Sequence, residues 1–140
     1  MTSPPLTSQT LDVSALKAKL VYIRLHGVDG QPFLYGDPGM MTALSADQIE
    51  NADFEGCHIF LEGCNGDELA SAFLAAGALS VTGSSEPTYG RRWHTGPSSV
   101  LGREWITNMR LGYGAEKSLE EARNLVPAKY KDGWVVRKKL

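Results

Sequence analysis

An α/β fold in three layers, with a mainly parallel sheet of about four core strands between helices, is what this sequence predicts. Two observations carry that expectation. Short apolar runs at 20–25 (LVYIRL), 57–63 (CHIFLEG) and 78–83 (ALSVTG) alternate with stretches of helical character, the pattern of strand–helix–strand units. Two of the runs also end in a reactive side chain followed by a glycine-bearing turn, at Ile23-Arg24-Leu25-His26-Gly27 and at Phe60-Leu61-Glu62-Gly63-Cys64-Asn65-Gly66. In open parallel sheets such ends gather on one rim, where ligands bind.

Taken in order, residues 1–10 read as a Ser/Thr/Pro-rich tail and residues 11–140 as a single domain. Leu11, Val13, Leu16 and Leu20 suggest a short amphipathic helix with Asp12 near its start. After the first strand at 20–25, the run QPFLYG at 31–36 suggests a hairpin or edge strand, followed by a turn at Asp37-Pro38-Gly39. Ser45 and Gln48 form the signature of a capping box at the start of a short helix. The second strand spans 57–63, and a small-residue helix at 66–76 stops at Gly77. The third strand at 78–83 leads into a Gly/Pro-bearing loop at 84–99. Helices at about 99–112 and 118–126 follow, the second with Ser118 as its cap and Glu121 three residues on. GWVVRK at 133–138 closes the chain as a strand.

With 140 residues the chain is large enough for one core. A formal charge of −2 argues against a general nucleic-acid binder. Apolar runs all fall short of the roughly 20 residues that cross a bilayer. Met1 to Gln9 lacks the basic and apolar regions of a signal peptide, which makes a cytoplasmic location the expectation. Cys57 and Cys64 share one strand and stand about 23 Å apart at roughly 3.3 Å per residue, too far for a disulfide. Both thiols are expected free, as in a reducing compartment. Zinc-ligand spacing, a C-x-x-C pair and a phosphate-binding P-loop are all missing from the sequence. No cofactor or metal is expected.

Parity along the second strand puts His58, Phe60, Glu62 and Cys64 on one face, and Cys57, Ile59, Leu61 and Gly63 on the other. His58 lies about 20 Å from Cys64 by the same rise, so it is not a base for that thiol; His26, ending a neighbouring strand, is placed for it. An imidazole and a helix N-terminus both favour thiolate, while Asp67 and Glu68 oppose it by like charge. Amides beside His26 and Cys64, near Gly27 and Gly66, are placed to hold an oxyanion. Cys64 as a buried structural thiol and His26 as a turn histidine are the competing readings. The run Arg91-Arg92-Trp93-His94 reads as a solvated loop, and Leu101, Trp105 and Met109 read as core at helical spacing.

Three stretches carry a resemblance. VYIRLHG at 21–27 is similar to a strand ending in the catalytic His-Gly, and CHIFLEGCNG at 57–66 to a strand ending in the catalytic Cys. LASAFLAAGALSVTGS at 69–84 is similar to a small-residue helix, Gly-Ala, then a strand. Over residues 20–138 the chain thus resembles the caspase-like cysteine peptidases, and within them the CHAT-type domains, relatives of separase. The resemblance implies Cys64 as nucleophile, His26 as acid/base, and the Gly27 and Cys64 amides as oxyanion hole. Glu62, two residues before Cys64, takes the place of an acidic residue that lines the pocket for a basic P1 side chain. A rim carboxylate paired with an arginine is the other reading of Glu62. The implied partner is a peptide or protein substrate. Residues 1–19 supply no strand, so the sheet is expected to be reduced at its N-terminal edge. That edge would be open to a homodimer partner or another chain, and a catalytically silent caspase-like module that binds a partner through this edge or the 84–98 loop is the alternative function.

Overall fold

A computed structural model describes residues 11–36, 42–88 and 96–139. Among them the elements are β1 (Leu20–Arg24), β2 (His26–Gly27), β3 (Phe33–Tyr35), β4 (Thr42–Ser45), α1 (Ala46–Glu50), β5 (His58–Glu62), α2 (Ala70–Ala75), β6 (Ser80–Ser84), α3 (Pro97–Arg110), α4 (Ala115–Arg123) and β7 (Trp134–Lys138). The main sheet has the order β1-β5-β6-β7. Its first two pairings are parallel and the last is antiparallel. β2, β3 and β4 form a separate antiparallel sheet beside it.

Strand parity sorts the core into two halves. Val21, Ile23, Ile59, Leu61 and Val81 face Ile49 of α1, Phe54, and Ala72 and Phe73 of α2. From the opposite face, Phe60 and Trp134 meet Leu101 and Trp105 of α3 and Leu119 and Ala122 of α4. The sheet is therefore the middle of three layers, as the sequence predicts. α3 crosses the sheet so closely that a Cβ on Gly102 would stand 2.9 Å from the Phe60 ring. β1 is the outer strand on the N-terminal side, and among the described residues no strand pairs with its outer edge.

The capping box is present: Ser45 Oγ accepts from Gln48 N at 3.4 Å, and Gln48 Oε1 accepts from Ser45 N at 3.0 Å. Three expectations need correction. The helix at 11–20 is a single 3-10 turn, Val13–Leu16, capped by Asp12; Lys17 is already extended to feed β1 three residues on. The helix at 66–76 is broken into a 3-10 turn, Gly66–Leu69, and the short α2. Asn65 has left-handed backbone (φ 53°), and the chain resumes with Glu68 N donating to Asn65 O at 3.1 Å, a tight turn rather than a full helix. Ser118 is not a cap; it is buried inside α4, whose N-cap is Gly114. Burying Ala115, Leu119 and Ala122 on one stripe against Trp105 starts the helix a turn earlier, with Trp105 Nε1 donating to Ala115 O at 3.2 Å. The tail at 1–10, the turn at Asp37-Pro38-Gly39 and the run at 91–94 lie outside the described residues.

Candidate functional site

The two motifs meet at the C-terminal rim of adjacent parallel strands. Arg24 of β1 stands opposite Glu62 of β5, and Leu25 N donates to Glu62 O at 3.1 Å. Past that pair the contacts are of Gly63 with Leu25 and of Gly27 with Cys64. The two backbones then touch. A Cβ on Gly63 would lie 2.5 Å from the Leu25 carbonyl oxygen, and one on Gly27 would overlap the Cys64 carbonyl oxygen, with the carbonyl carbon at 2.9 Å. Only glycine permits this approach. His26 is exposed, and opens β2 opposite Tyr35 of β3.

Cys64 is half-buried, and its hydrogen-bond partners among the described residues are three atoms of Thr88. Thr88 N donates to Sγ at 3.3 Å; Thr88 O and Oγ1 lie 3.8 and 3.7 Å from it. The structure thus brings the His26 and Cys64 segments together through their backbones, while the sulfur itself is held by the loop after β6. No backbone carbonyl among the described residues accepts from the Cys64 N–H. Cys57 and Cys64 are both free.

Glu62 is 3 % exposed. Ser99 of α3 donates to its Oε1 at 2.7 Å, Tyr22 of β1 donates to Oε2, and Arg24 Nε stands 3.5 Å from Oε1. Both oxygens are occupied by groups of this chain, which is the geometry of a carboxylate paired with a neighbouring arginine. Burial, and then the Glu62 carboxylate, push the Tyr22 phenol far above its ordinary value.

The tight turn after Cys64 is pinned from three sides. Asn65 N donates to Glu86 O at 3.3 Å, and Asn65 Nδ2 donates to Asp29 Oδ1 at 3.0 Å. Asp67, counted in the sequence as a like charge opposing the thiolate, is held by Arg137 of β7 through Nη2 at 2.7 Å and Nε at 3.0 Å. Sequence reasoning did not single out Asn65, Asp29, Thr88, Tyr22 or Ser99. The Asn65-Gly66 pair carries a readable turn signal; the others depend on contacts between distant segments and carry none.

An open cleft of about 440 Å³ lies along α2 and β7, lined by Asp67, Glu68, Ser71, Ser85, Arg137 and Lys138. It contains neither His26 nor Cys64; among its charges Asp67 is paired with Arg137, and Lys138 with Glu116. Among the described residues no cluster of ligating side chains could hold a metal ion, and no helix is long and apolar enough to cross a membrane. No protein-family model matches the chain, and no curated protein matches it.

Proposed function

We propose that the chain is a cysteine endopeptidase of caspase-like type, with Cys64 as nucleophile and His26 as acid/base. The observation that carries this reading is the backbone contact of Gly27 with the Cys64 carbonyl at adjoining C-terminal strand ends. It brings the segment that carries His26 against the segment that carries Cys64, on the rim where open α/β sheets bind ligands. In the proposed reaction His26 takes the Cys64 thiol proton as the sulfur attacks the scissile carbonyl carbon of a peptide. A C–S bond forms, the oxyanion is held by the Gly27 and Cys64 amides, and the C–N bond breaks as His26 protonates the departing amine. Water then hydrolyses the thioester, giving its proton to His26 and returning the thiol. We assign a preference for a basic P1 residue, whose cation would compete with Arg24 for the Glu62 carboxylate. Free thiols fit a reducing, cytoplasmic setting.

One observation favours a second reading. Among the described residues the hydrogen bonds of the sulfur go to Thr88, the arrangement of a thiol absorbed into the structure. A catalytically silent module, taking a second copy or another protein chain at the open β1 edge, would look like this.

The test is labelling with an arginine chloromethylketone at neutral pH, read by intact mass. A stoichiometric adduct on the wild type, lost in Cys64→Ala and strongly slowed in His26→Ala, is expected of the peptidase. Slower labelling in Glu62→Gln is expected of the basic pocket; equal labelling would remove the P1 assignment. Absence of any adduct, with Cys57 and Cys64 equally sluggish to a small alkylating agent, would leave the silent module.

A further inference from the structure

The turn that follows Cys64 is tied to the loop that follows His26 by one side-chain contact, Asn65 Nδ2 to Asp29 Oδ1 at 3.0 Å. We infer that Asn65 is a positioning residue, whose amide, held by Asp29, keeps the His26 segment in register with the Cys64 segment. The inference rests on the proposed Cys64–His26 pair and assigns these two residues the task of keeping it aligned.

Four features support it. Asn65 adopts φ 53°, a conformation that costs most residues but suits asparagine, whose short amide hydrogen-bonds locally. The residue is 92 % shielded while Asp29 is exposed, so the bond reaches from the interior of the turn to the outer loop. Its backbone is fixed independently, through Glu86 O and through Glu68 N, so the amide is a rigid arm. Between the two tied residues lies the contact of Gly27 with the Cys64 carbonyl. β2 itself is only two residues long, His26–Gly27. Such a strand has little of its own to hold His26 beside Cys64, and the adjoining bond at Asp29 supplies what is lacking. Reactive pairs tolerate little misplacement.

The test is a double-mutant cycle on the alkylation rate of Cys64 by iodoacetamide, read by peptide mass in the full-length chain. The effect of His26→Ala is measured in the wild type and again in Asn65→Gly, Asp29→Ala and Asp29→Asn backgrounds. Glycine keeps the left-handed backbone and removes only the amide; asparagine at 29 keeps an acceptor oxygen where alanine has none. In the wild type His26→Ala is expected to slow alkylation about tenfold, and that factor should fall to about twofold or less in Asn65→Gly and in Asp29→Ala, with most of it restored in Asp29→Asn. A merely structural bond would shift the melting temperature and leave the His26 factor unchanged. An undiminished factor in Asn65→Gly and Asp29→Ala would overturn the positioning role while the Cys64–His26 pair stood. A wild type indifferent to His26→Ala would overturn both. Asp29 is exposed, so its variants keep the test decisive should Asn65→Gly fold poorly.

Discussion

β5 carries a cysteine beside each of its ends, and an imidazole accompanies both. At the start, Cys57 is 2 % exposed and its thiol faces the Glu55 carbonyl at 3.9 Å, while His58 Nδ1 lies 2.8 Å from Ser80 Oγ. At the far end, Cys64 is half-buried just past the last ladder bonds, and His26 is exposed on the neighbouring segment. The functional groups are the same at both ends. What differs is the surrounding chain: the first end is absorbed by ladder and core, the second opens into glycine-bearing turns. The second end lies at the C-terminal rim, where open α/β sheets bind ligands, and the first does not.

Glycine substitutions separate the two ends most sharply. Gly56, just before Cys57, has φ +78° and no atom within 4 Å of an added Cβ. Gly56→Ala should cost about 1–2 kcal/mol, the left-handed penalty alone. Gly27→Ala drives a methyl group into the Cys64 carbonyl and to 3.2 Å from Leu34 Cδ2, with backbone on the colliding side. A loss of about 3 kcal/mol or more is expected, since neither segment can relax without unpairing β2 from β3. Urea denaturation of the two variants measures the difference. Equal losses would show that the rim is a loose approach of two loops rather than a fitted contact.

How much of this was legible in the sequence follows from the range of the contacts involved. The alternation that assigned β1, β5 and β6 is local, and so is the Ser45–Gln48 box; both were readable because short-range pattern and tertiary burial agree. That the segments carrying His26 and Cys64 meet at one rim was legible because adjacent parallel strands expose their ends together. The break between the 3-10 turn and α2 was not, because alanine-rich propensity at 69–76 says helix while Asn65 imposes a left-handed entry. Ser118 misled for a similar reason: its local sequence is a good cap, but Ala115 under Trp105 gained more from burial. Thr88 at the sulfur and Ser99 at Glu62 come from segments 24 and 37 residues away. No local pattern encodes such partners.

Thiol reactivity gives the next largest contrast. Cys57 lies in the apolar cluster beneath α1 and α2, so a reagent reaches it only when that layer opens. Cys64 is reached from the rim. A small alkylating agent under native conditions should modify Cys64 about 100-fold faster than Cys57, the factor expected when only one of the two requires a cooperative opening. The difference should vanish in denaturant. Peptide mapping after a short pulse reads both sites in one sample. Comparable native rates would mean that the start of β5 opens as readily as its end, and the comparison would fail.

The smallest effect belongs to His58. Burial, and then the nearby cations Lys19 and Lys138, lower its proton affinity below the ordinary value of 6.5. Lys138 is itself ion-paired with Glu116, and Ser80 lies against the ring. The unfolded chain therefore takes up this proton at a higher pH than the folded one does. Its contribution to stability is fully present above pH 6.5, and is lost as pH falls from there through the lower folded-state value. His58→Gln keeps a polar group near Ser80 and removes the titration. Between pH 7.5 and pH 5.5 the wild type should lose more stability than His58→Gln, as measured by urea midpoints in matched buffers. Parallel loss in both proteins would mean that His58 is hydrated rather than absorbed. The first end of β5 would then differ from the second in degree only, since its imidazole would meet solvent as His26 does.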